Sequence, residues 1–259
     1  MVITSAELTS WVGSYMWPLF RVAAMLAVIP VIGNRMLSIR IRLIAALAIT
    51  MVIAPLLPSS PAVEPLSATG LLVTVQQVLI GTAMGFILSM IFAAFVHGGQ
   101  IIAMQMGLGF ASMVDPANGV QVPVISQFYI ITVTLLFLAV NAHLMVVQVL
   151  VDSFRILPIA PIGMTQVGLQ QVAAWAGHMF SSAVLIALPA VACLLIVNLA
   201  FGVIVRAAPQ LNIFAVGFPI TMLLGFIVIL LTLPSVVPQF TTLLNDGFGM
   251  TRRILAGGG

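Results

Sequence analysis

The chain has 259 residues, of which 62% are hydrophobic and 5% charged, whereas a soluble domain carries roughly 25% charged residues. With a mean hydropathy of +1.29 it reads as an integral membrane protein. All eight basic residues are arginine and the net charge is only +3, so the pI near 10.0 reflects scarce ionisable groups and gives no support to nucleic-acid binding.

The amino-terminal stretch MVITSAELTSWVGSYMW lacks a basic n-region and is expected to be mature protein. Glu7, Trp11 and Trp17 there suit an interfacial lead-in. Six hydrophobic segments follow, at about 15 to 33, 40 to 58, 70 to 96, 124 to 150, 177 to 205 and 212 to 238. Each is long enough to cross a hydrocarbon core of about 30 Å as a helix of about 20 residues. The expected fold is therefore an all-α membrane protein of about six helical segments. Pro30, Pro55, Pro189, Pro219 and Pro234 predict kinks or breaks in them.

Arg21 lies early in the first segment. Toward the bilayer centre its charge is costly, so it either snorkels to the interface or faces protein or water. The first connection gathers Arg35, Arg40 and Arg42, while the second holds Glu64 and no base, which orients the first loop to the cytoplasm. Alternation then puts Arg206 on the cytoplasmic side and leaves Arg252 and Arg253 in conflict with the rule. Asp152 and Arg155, three apart, can pair on one helical face. Gln76, Gln77, Asn141 and Asn198 lie in apolar surroundings and need partners there.

Residues 97 to 123, HGGQIIAMQMGLGFASMVDPANGVQVP, are unlike a water-facing loop, because Asp115 is the only formal charge among many apolar side chains. Gly98, Gly99, Gly107, Gly109, Gly119 and the Asp115-Pro116 pair argue against a simple spanning helix. Irregular backbone at membrane depth survives only where protein buries it or where it lines a cavity. A pore or closure element is the reading that follows, and Met104, Met106 and Met113 suit a deformable seal. The chain is treated as one membrane domain, 1–259, with a loop-rich part at 1–123 and a second part at 124–259 that ends in two hydrophobic segments joined by a turn at 206–212.

Enzyme chemistry has little to draw on. His97, His143 and His178 sit in different segments, the five acidic residues are scattered, and no lysine exists for a nucleotide-binding loop. The single Cys193 excludes an intrachain disulfide. No catalytic, metal or cofactor site is expected. A secondary transporter with a midplane site is the alternative reading; it requires inverted repeats and a paired intramembrane ionisable site, neither of which is evident.

Three collinear stretches, QMGLGFASMVDP at 105–116, VNAHLMVVQVLVDSFRILP at 140–158 and RAAPQLNIFAVGFPI at 206–220, closely resemble the FliR/SctT family of type III secretion export-gate subunits. The likeness covers nearly the whole chain. It implies a noncatalytic core subunit of the flagellar export gate in the bacterial inner membrane, at the flagellar basal body, with a FliP-like part followed by a FliQ-like part. The implied partners are FliP and FliQ homologues, with FlhB and FlhA homologues nearby, and unfolded flagellar proteins are the cargo. The resemblance also implies a closing plug at 105–119. Gln105, Met106, Gly107, Leu108, Gly109, Phe110, Met113, Asp115 and Pro116 carry it here: apolar side chains exclude water, Gly107 and Gly109 permit displacement, and Asp115-Pro116 fixes the returning bend. The turn with Arg206, Pro209, Gln210 and Asn212 is expected to contact neighbouring gate subunits at the entrance.

Overall fold

The computed structural model describes residues 5–33, 37–57, 63–108, 123–161, 163–208 and 213–257, with 5–10 and 213–216 as backbone only. The described residues form helices. These are α1 (Ser5–Val28), α2 (Pro30–Gly33), α3 (Ile39–Ile53) with a 3₁₀ turn at Ala54–Leu56, α4 (Ala68–Gln105), α5 (Val124–Ala139), α6 (Ala142–Ile156), α7 (Gln166–Ala207) and α8 (Ile213–Leu255). Among the described residues, five helices are long and apolar enough to cross a membrane, or six if the bent pair α5 and α6 is one span.

Local chemistry explains several boundaries. Ser67 Oγ accepts from Gly70 N–H at 3.0 Å and starts α4, and Thr165 Oγ1 accepts from Gly168 N–H at 3.1 Å and starts α7. Pro30 follows the break at Ile29, and Pro55 sits in the 3₁₀ turn that ends α3, so these two prolines mark helix limits as expected. Pro189 in α7 and Pro219, Pro234 and Pro238 in α8 lie inside continuous helices. The reason is environmental: an apolar setting offers the backbone no water to bond with, so the helix persists despite the missing donor. The break that hydropathy missed divides the fourth hydrophobic segment. There α5 and α6 bend by 70° at Asn141, which adopts a left-handed φ of 55° and is exposed. Asparagine is among the few residues that accept this conformation readily, so Asn141 serves as a turn residue rather than a buried polar group.

Three helices outrun the hydropathy segments, with α4, α7 and α8 having 38, 42 and 43 residues. At 1.5 Å per residue their contour lengths are about 57 to 65 Å, roughly twice a hydrocarbon core of about 30 Å. Helix α4 is 67% buried, against 22% for the apolar windows of α7 and α8, so α4 is the core helix. It runs unbroken through Gly98 and Gly99 and ends at Gln105, inside the glycine-bearing stretch.

The chain groups into two compact units, one of Met1–Met90, Leu138–Ala176 and Leu244–Gly259, the other of Ile91–Phe137 and Gly177–Leu243. In the first, Gly81 and Gly85 of α4 approach the backbone of α1. A Cβ at Gly81 would meet the Arg21 carbonyl, and one at Gly85 would meet the Met25 carbonyl at 2.7 Å and Val28 at 2.9 Å. Small residues four apart thus let two helices pack backbone to backbone. The paired positions ascend together, 21 with 81 and 25 with 85, so α1 and α4 run parallel. In the second unit, Gly99 makes room for Ser126 and Tyr129 of α5, and Gly98 for Ile186 of α7. Ser126 Oγ donates to Val96 O at 2.9 Å across the first of these contacts. Phe92, Phe95, Phe137 and Phe240 pack around the same helix with ring centroids 5.6 to 6.1 Å apart, spacing in the favourable range for aromatic pairs.

Candidate functional site

Arg21 is fully buried in the first unit. Of the sequence alternatives, facing protein is the one the structure shows. Its Nε donates to Gln77 Oε1 at 2.8 Å. One terminal nitrogen donates to Ser153 O at 3.0 Å and Ser153 Oγ at 3.1 Å, and the other to Leu157 O at 3.0 Å. The guanidinium also lies over the Phe154 ring, 4.1 Å from its centroid. All four bonded acceptors are neutral. Burying an ion ordinarily costs several kcal/mol, and here the cation is balanced by position: Ser153 is in the last turn of α6 and Leu157 is its C-cap. The guanidinium therefore occupies the negative end of a helix dipole, bonding the Leu157 carbonyl at the helix end and sharing the Ser153 carbonyl with the Leu157 N–H, while the aromatic face adds a cation–π contact.

The Gly81 approach sets this geometry. Gln77 lies one turn before Gly81, so the close backbone contact brings its amide within reach of Arg21, whose side chain leans toward the start of α1. Gln76 faces the connection after α6, where a Cβ on Gly163 would overlap its amide. Two other expectations change. Trp17, read as an interfacial residue, is fully buried, while Trp11 is exposed. Asp152 pairs with Arg252 at 3.8 Å rather than with Arg155, joining α6 to the last turn of α8; tertiary packing supplies a nearer cation than the local helix spacing does.

A second set of residues lies at the end of α4. Gln105 is its last residue and Met106 is fully buried. Leu108 N–H donates to Ala103 O and Gly107 N–H to Met104 O, both at 3.0 Å, with Gly107 at φ 80°. This is the Schellman arrangement, in which a left-handed glycine closes the helix. The Met106 side chain fills the space beside Gly225 of α8, and the Phe218 ring lies where a Gly107 Cβ would be, at 3.0 Å. The remaining plug residues, Gly109, Phe110, Met113, Asp115 and Pro116, lie outside the described residues, as do Pro209, Gln210 and Asn212 of the 206–212 turn. Arg206 is exposed in the last turn of α7, where a cation suits the helix dipole.

The sequence reading named Arg21 but missed its partners. Two adjacent glutamines in an apolar segment, one turn ahead of a Gly-x-x-x-Gly pair, were the available signal.

Comparison with known proteins gives a match to the bacterial export proteins, family 1, over residues 12–247. The chain is similar to the flagellar biosynthetic protein FliR of Escherichia coli (strain K12), 37% identical over 254 residues covering 98% of this chain and 97% of the relative. It is similar also to FliR of Pectobacterium carotovorum subsp. carotovorum, at 36% over 256 residues, 98% and 97%. With FliR of Bacillus subtilis (strain 168) the identity is 30% over 241 residues, 91% and 92%.

The α4 cap makes a direct prediction. Gly107→Ala places a Cβ in left-handed backbone and against Phe218, and should lower the stability of the full chain by about 1–2 kcal/mol. Thermal unfolding in detergent measures this, and an unchanged midpoint would mean that the cap is not needed.

Proposed function

This chain belongs to the bacterial export proteins, family 1, and from that membership we propose that it is a noncatalytic core subunit of the flagellar type III export gate in the bacterial inner membrane, at the flagellar basal body. The observation that carries the proposal is its full-length similarity to flagellar biosynthetic FliR proteins. The gate passes unfolded flagellar proteins, and this subunit helps to form and to close the conduit. It works among FliP and FliQ homologues, with FlhB and FlhA homologues nearby, and is built as a FliP-like part followed by a FliQ-like part. The sparsely buried apolar windows of α7 and α8 support an assembled state, since they offer wide faces to neighbouring helices or lipid.

Residues 105–119 are proposed as the closing plug. Support comes from the apolar character of the segment and from its anchored beginning, where Met106 is buried beside Gly225 and Gly107 caps α4. A dry apolar constriction blocks ions by dewetting. Deleting residues 107–113 should leave assembly with partner subunits intact while raising leakage of small ions through the membrane. A deletion complex that assembles and leaks no more than the parent would remove the plug assignment.

The turn at 206–212 is proposed to contact neighbouring subunits at the cytoplasmic entrance. The exposed Arg206 at a helix end supports this, because its planar fork can bond carbonyls of an adjoining helix. Arg206→Lys keeps the charge and loses the fork, so export should fall several-fold in a motility or secretion assay; normal export by this variant would reduce Arg206 to a general positive anchor.

A further inference from the structure

Trp17 and Gln77 hold two buried donors with no partner among the described residues. Both side chains are fully buried, and the indole Nε1 of Trp17 and the amide Nε2 of Gln77 make no hydrogen bond. The amide orientation is fixed chemically. Arginine can only donate, so the Gln77 atom that meets Arg21 Nε must be the oxygen, and the other must be the NH₂ group. The register of the parallel pair α1 and α4 brings these donors to one level: 81 stands beside 21 and 85 beside 25, which sets 77 beside 17. The six-membered ring of Trp17 packs on Gly13, where a Cβ would lie 2.9 Å from Cε3 and 3.1 Å from Cη2. That contact leaves the Nε1 edge of the indole on the other side of the ring.

Two unpartnered N–H donors stand at one level of the α1–α4 pair, one turn from Arg21, while each acceptor bonded to Arg21 is neutral and already in use. A buried donor without a partner is costly, and such sites are ordinarily filled by a small species with lone pairs and two or more polar contacts. We propose that Trp17 and Gln77 together bind one small hydrogen-bond acceptor, a water molecule or a halide ion, in a closed site beside Arg21. The acceptor ties α1 to α4 one turn ahead of the Arg21–Gln77 bond. It extends a single side-chain contact into a polar seam between two otherwise apolar faces.

The test is nuclear magnetic resonance of the full chain in detergent with ¹⁵N-labelled tryptophan, using Trp17→Phe to assign the Trp17 indole signal. Bromide, chloride and gluconate are exchanged at constant ionic strength. A Trp17 N–H signal that moves with halide identity identifies a halide. A signal that ignores the halide but shows magnetisation transfer from a bound water identifies water. Neither behaviour in the parent chain overturns the site. Gln77→Glu keeps an acceptor for Arg21 and removes the second donor, so either signature should disappear in it; persistence of the parent signature would overturn the two-donor site.

Discussion

A buried guanidinium with only neutral bonded acceptors is the constraint around which the first unit is arranged. Arg21 cannot shed its charge, and it is fully enclosed. Its donors have to be met by groups from different parts of the chain, and they are met by Gln77 of α4 and by the end of α6. A carboxylate partner would have bound it pairwise. Neutral carbonyls at a helix end instead require α6 to stop at the right place and point its C-terminus at α1, so one cation specifies the meeting of three helices.

Close backbone approach makes that meeting geometrically feasible. Gly81 and Gly85 bring α4 against α1, and Gly98 and Gly99 bring the same helix against α7 and α5. In lipid there is no hydrophobic force between apolar helices, so intimate packing and buried hydrogen bonds carry association. Helix α4 uses both. Its contour length of about 57 Å exceeds a bilayer's hydrocarbon core nearly twofold, as do those of α7 and α8. A long helix with a large exposed apolar face needs lipid or neighbouring subunits along it, which agrees with the proposed place of the chain in a multisubunit gate.

Much of the fold was legible in the sequence because hydropathy measures what lipid selects. The helical class and the approximate number of apolar segments follow from it, while the family likeness rests on the three collinear stretches at 105–116, 140–158 and 206–220. Helix continuity was less legible. Proline lowers helix propensity by the same intrinsic amount everywhere, yet Pro189, Pro219 and Pro234 leave their helices intact because the apolar surroundings offer no competing partner. Conversely, the sharp bend at Asn141 had no proline to announce it and depends on one residue adopting left-handed backbone. Arg21 was visible as a misplaced charge, but its partners lie 56 to 136 positions away and are not acids, so no charge pattern could reveal them. Asp152 misled for a related reason: the nearby Arg155 satisfied helix spacing, while the folded chain brings Arg252 to it.

Arg21 and Gln77 stabilise the fold as a coupled pair. A double-mutant cycle with Arg21→Met, Gln77→Met and the combined variant, measured as unfolding free energy of the full chain, tests this most directly. The expected coupling is about 1–3 kcal/mol, the scale of a hydrogen bond to a charged group. Strict additivity, with coupling within about 0.3 kcal/mol of zero, would contradict it.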